Sequence, residues 1–70
     1  MYAVIQFING AFSIKYEGDN LDSIKYNYHN WCALLWNDTE AVDGVVKIVD
    51  NKLDTVDGYV EFISHPAKNA

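Results

Sequence analysis

Two apolar-rich runs, Tyr2 to Ile8 and Ala11 to Tyr16, flank Asn9-Gly10. Asn-Gly readily takes positive φ at both central positions of a type I′ turn, so this stretch predicts a β-hairpin. Pairing through that turn sets Phe7 opposite Phe12, Ile5 opposite Ile14 and Ala3 opposite Tyr16 on one face. Gln6 with Ser13 and Val4 with Lys15 fall on the other. The first, more apolar face is the expected floor of the core.

The alternation breaks at Glu17-Gly18-Asp19-Asn20, where Asp19 or Asn20 is suited to cap a helix running to about Asn37. Asp19 and Asp22 match its positive end. At 100° per residue, Leu21, Ile24, Tyr28, Trp31, Cys32 and Leu35 form one stripe, while Lys25, Asn27 and Asn30 lie away from its centre. This stripe is expected to cover the hairpin's apolar face.

After Asn37-Asp38-Thr39-Glu40 ends the helix, Val45 to Val49 reads as a β-branched strand, and Asp50-Asn51-Lys52 as a turn. Leu53 to Ile63 is again strand-like, with Asp57-Gly58 interrupting it as either a bulge or a further tight turn. The expected architecture is α+β: a two-layer ββαββ unit whose antiparallel sheet of about four strands carries one helix on one face. Periodicity leaves the strand order open. Residues 1–64 make a single domain in this reading, and 65–70 a flexible C-terminal tail. The four glycines read as turn formers.

Composition narrows the functions. Seventy residues allow one domain, and ten aromatics spread along the chain favour a folded state. A net charge of -5 opposes direct binding to nucleic acid or anionic lipid. No apolar run approaches the roughly 20 residues that span a bilayer, and no basic-then-apolar leader opens the chain. Cys32 is the only cysteine, so no internal disulfide can form, which fits a reducing cytoplasm.

Candidate chemistry is sparse. His29 and Cys32, three apart on the helix, suggest an acid-base or thiolate pair, but Cys32 lies on the stripe expected to be buried, where a thiol serves as a small hydrophobe. Asp50, Asn51, Asp54 and Asp57 offer oxygen ligands without calcium-loop spacing, and two histidines with one cysteine make a poor zinc set. The expectation is therefore a non-enzymatic protein with no metal and no cofactor.

Two surfaces remain. Tyr26, Leu34 and Trp36 project outside the apolar stripe and suggest a contact for a protein partner or for self-association. From Asp38 to Glu61 seven carboxylates face two lysines, and Asp50, Asp54, Asp57 and Glu61 suggest an acidic surface that imitates a phosphate backbone and occupies a nucleic-acid enzyme. The leading expectation is an interaction module using the helix flank or an open sheet edge, with the acidic inhibitor as the alternative.

With Asn9-Gly10 in the opening hairpin, Tyr28-His29 and Cys32 in the helix, Leu35-Trp36-Asn37 at its end, and then Leu53-Asp54, Gly58-Tyr59 and Glu61-Phe62-Ile63, the chain resembles small uncharacterised proteins from prophages and mobile elements of gut-dwelling Firmicutes. The resemblance spans most of the chain. It implies a bacterial or phage cytoplasmic context and assigns no catalytic or binding residue.

Overall fold

A computed structural model describes residues 1–68. Strands β1 (Tyr2–Ile8) and β2 (Ala11–Gly18) precede helix α1 (Leu21–Trp36), which is followed by β3 (Val42–Val49) and β4 (Thr55–His65). The four strands form one antiparallel sheet in the order β2-β1-β3-β4, with the helix packed on one side. The α+β ββαββ architecture is therefore as the sequence pattern implies.

Local chemistry accounts for each element. Asn9 (φ 52°) and Gly10 (φ 80°) turn the first hairpin in the left-handed region that Asn and Gly tolerate. Asn9 then does more than turn the chain. Its backbone N–H donates to the Asp43 carbonyl at 2.8 Å, its side-chain N–H to the Ala41 carbonyl at 2.8 Å, and its side-chain oxygen accepts from the Asp43 N–H at 2.9 Å. The turn is thereby tied to the start of β3. Asn20 caps the helix by accepting the Ser23 N–H at 3.2 Å, and Asp22 sits in the first turn, where the helix dipole favours a negative charge.

Gly44 is no turn former. It lies inside β3 opposite Ile8, where any Cβ would collide with the Phe7 carbonyl oxygen. Only glycine permits that close approach of the two central strands. Gly58 belongs to a bulge: the register of β3 against β4 shifts between Lys47 and Val49, so Asp57-Gly58 widens a continuous strand and does not end it.

The core lies between helix and sheet. Ile24, Tyr28, Cys32 and Leu35 of α1 meet Val4 and Ile8 of β1, Val42, Val46 and Ile48 of β3, and Ile63 of β4. Each such side chain, fully buried, contributes about 1.5–3 kcal/mol before the entropy of ordering is subtracted. Trp31, expected on the stripe, packs at its margin and donates its indole N–H to the Gln6 side-chain oxygen at 2.7 Å.

These contacts correct the expected orientation of the sheet. Phe7 does pair with Phe12, and Ile5 with Ile14, but on the side away from the helix. The helix covers the side of Val4, Gln6 and Ile8. The third expected pair fails too, because a register shift between Val4 and Ile5 sets Tyr16 opposite Val4 and Glu17 opposite Ala3. One extra residue reverses the facing of the strand beyond it, so Tyr16 joins the helix side.

Topology supplies the reason. β2 and β3 are both antiparallel to β1, hence parallel to each other, and α1 connects them across β1. Crossovers between parallel strands are right-handed almost without exception. With Ile8 and Ala11 paired next to the turn, a right-handed path lays the helix over the Ile8 side.

The end of the chain also differs from the expected loose tail. β4 extends to His65, whose ring nitrogens lie 2.7 Å from the Leu35 carbonyl and 2.9 Å from that of Pro66. Lys68 donates from its backbone to the Thr39 carbonyl at 2.7 Å and from its side chain to the Trp36 carbonyl. Residues 65–68 are thus fastened to the end of the helix, where carbonyl groups lack intrahelical partners. The rest of the expected tail, residues 69–70, lies outside the described residues.

Candidate interaction surface

Cys32 is buried, and burial pushes its thiol up to about 11, with the nearby Glu61 charge adding to the rise and a hydrogen bond to Tyr28 opposing it. A thiol held so far above neutrality is a poor nucleophile. His29 lies outside on the helix, its ring edge-on to those of Tyr28 and Tyr59 at centroid distances of 5.2 and 5.9 Å. Among the described residues no group of three or more His, Cys, Asp or Glu is placed to hold a metal ion, and no helix is long and apolar enough to cross a membrane.

The three helix-flank residues do not form one patch. Tyr26 and Leu34 are 68% and 61% exposed, and Trp36, still 39% exposed, leans with part of its ring on the sheet. Its indole N–H donates to the Glu61 carboxylate at 2.9 Å, and its ring stacks obliquely on His65 at 6.0 Å. Trp36 and Glu61 thus satisfy each other across the helix–β4 seam.

The acidic residues are likewise divided. Asp38, Glu40 and Asp43 lie about the start of β3, Asp50, Asp54 and Asp57 about its far end, the last in the β4 bulge, and Glu61 stands between them opposite Val46. A strand of this length separates the groups by roughly 20–25 Å. Asp50 is occupied with its own turn, accepting the backbone N–H groups of Lys52 at 2.8 Å and Asp54 at 3.1 Å.

The uncovered sheet face carries five of the ten exposed large apolar side chains among the described residues. Alternation along the strands brings Phe12 and Ile14 of β2, Ile5 and Phe7 of β1, Val45 and Lys47 of β3, and Val60 and Phe62 of β4 to this side. Phe12, Phe7, Val45 and Phe62 form one row across the four strands, and Ile14, Ile5, Lys47 and Val60 form the next. Phe62 is 76% exposed, Phe12 59% and Phe7 52%, values that belong to side chains with no cover. Toward the β3–β4 turn the face deepens into a hollow of about 500 Å³, lined by Ala3, Ile5, Val49 and Leu53, with Lys47, Glu17 and Asp50 as its charged side chains.

Periodicity shows that these residues share a face and assigns that face to the core. The telling signal is excess: β1 is apolar on both sides, and a single helix covers only one. Comparisons with family models, curated proteins and solved structures found no match.

Proposed function

We propose that this chain is a non-enzymatic protein-interaction module that docks through its open sheet face. One observation carries this reading: three phenylalanines, each more than half exposed, lie on the same side of one sheet with isoleucines and valines between them. Contiguous apolar surface of this kind is uncommon on a soluble monomer and marks a place where another surface belongs. The sheet face replaces the helix flank as the leading surface, because Trp36 already has a partner within the chain. The acidic-inhibitor reading has less support: of its four residues Asp50 and Glu61 already accept hydrogen bonds within the fold, and the remaining carboxylates from Asp38 to Asp43 lie at the far end of β3 from Asp54 and Asp57. The bacterial or phage cytoplasmic setting belongs to the proposal as its context.

Site-specific photocrosslinking tests the surface. With p-benzoylphenylalanine in place of Phe62, irradiation in the producing cell is expected to yield a discrete protein adduct, and the same group in place of Tyr26 is expected to yield none. Adducts from position 26 alone would move the docking surface to the helix flank.

A further inference from the structure

Resting on that reading of the sheet face, we propose that its occupant is a second copy of this chain, the two sheets packed face to face about a twofold axis parallel to the strands and between β1 and β3. The helices then lie outside, and the assembly has four layers, α-β-β-α.

Three features of the face favour a second copy. Size is the first. At about 200 Å² per aromatic side chain, Phe7, Phe12 and Phe62 alone expose roughly 350–400 Å². With Ile14, Val60 and the stem of Lys47 added, the face approaches the roughly 600 Å² per partner at the lower end of specific interfaces. The shape of the occupant is the second. A twisted apolar sheet is best covered by another with the same twist, at about 10 Å separation and with strands aligned within about 30°.

Self-complementarity is the third. The proposed axis lays β1 of one copy over β3 of the other, and β2 over β4. Phe12 then meets Phe62, Ile14 meets Val60, and Phe7 meets Val45, so apolar residues face apolar residues in both rows except at Lys47. Lys47, the one charge within those rows, lies over Ile5 of the other copy and diagonal to its Glu17, within reach of a flexible ammonium. Each contact occurs twice, as in any isologous interface. The net charge of -5 opposes association, but the carboxylates at the two ends of β3 lie outside the rows, and salt screens the repulsion between the like ends of the two copies.

The proposal also accounts for a chain without staples. With no disulfide and only one buried side of its sheet, a domain of this size gains its second core layer by association.

Sedimentation equilibrium of the full chain, from micromolar concentrations upward, tests the inference with Phe62→Glu and Leu34→Glu as a matched pair. Both residues are exposed, so circular dichroism should show the native fold for each variant. The expected result is a wild-type dimer whose association weakens at least about 100-fold with Phe62→Glu and is unchanged with Leu34→Glu. A wild type that stays monomeric while binding an apolar fluorescent dye, with that binding lost in Phe62→Glu, overturns the second copy and leaves the face as a docking site for a different protein. A dimer indifferent to Phe62→Glu and dissociated by Leu34→Glu overturns both the second copy and the sheet-face reading.

Discussion

Trp31 donates its indole N–H to the side-chain oxygen of Gln6 at 2.7 Å, joining the helix to the middle of β1 across 25 residues of sequence. This bond lies on the side of the hairpin opposite Phe7 and Phe12. It marks the orientation that leaves Phe7, Phe12 and Phe62 uncovered. Trp31→Phe, which removes the donor together with part of the ring, leaves the half-buried Gln6 oxygen unpaired and is expected to destabilise the fold by about 1–2 kcal/mol. Adding Gln6→Leu should recover the part of that loss due to the unpaired oxygen, because two apolar groups meeting there leave nothing unsatisfied. Urea unfolding of the two single variants and the double variant measures the coupling.

Asn9 links the first turn to β3 through both ends of its amide, so its role exceeds its conformation. Asn9→Gly keeps the positive φ accessible and the backbone bond to the Asp43 carbonyl intact while deleting the side-chain bonds to the Ala41 carbonyl and the Asp43 N–H. A residue needed only for the turn would be replaced by glycine at little cost. The expected loss is about 1–2 kcal/mol, read by thermal or urea unfolding, with faster amide exchange at Asp43 as the local signature.

Burial of the Tyr28–Cys32 pair makes stability fall at alkaline pH. Cys32 moves from 9.0 to about 11, first through burial, and burial likewise raises Tyr28 well above its ordinary 10.0. Between those limits the unfolded chain releases a thiol proton that the native state retains, so native stability is full below about pH 9 and declines as pH rises toward 11. Cys32→Ala should lower stability at neutral pH through the lost packing, yet flatten the decline between pH 9 and 10. Native Cys32 should also react with a soluble disulfide reagent far more slowly than in the urea-unfolded chain. Rapid reaction of the folded protein at neutral pH would contradict the burial and reopen the His29–Cys32 pairing.

Much of the fold is legible along the chain, and the misplaced part has one cause. Asn9-Gly10 specifies the hairpin, Asn20 the helix start, and the helical stripe of Ile24, Tyr28, Cys32 and Leu35 the side that is buried. These are local signals, each confined to a turn or a few turns of helix. Which side of the hairpin meets that stripe depends on β3 lying beside β1 and on the right-handed path from β2 to β3, neither of which periodicity encodes. The extra residue near Lys15 is equally silent: its ammonium sits 4.9 Å from the Trp31 ring centre, a contact that exists only once helix and sheet have met. The docking surface is hidden from sequence for the same reason. Its residues are recognisable as apolar partners, and only the crossover decides which side of the sheet they occupy.

The most direct measurement is hydroxyl-radical footprinting of the wild-type chain across a concentration series, read at Phe7, Phe12, Phe62, Tyr26 and Leu34. Concentration-dependent protection of the three phenylalanines, with Tyr26 and Leu34 reacting equally throughout, is the result expected if the open sheet face is the docking surface and a second copy covers it. Protection that builds at Tyr26 and Leu34 while the phenylalanines stay reactive would contradict it.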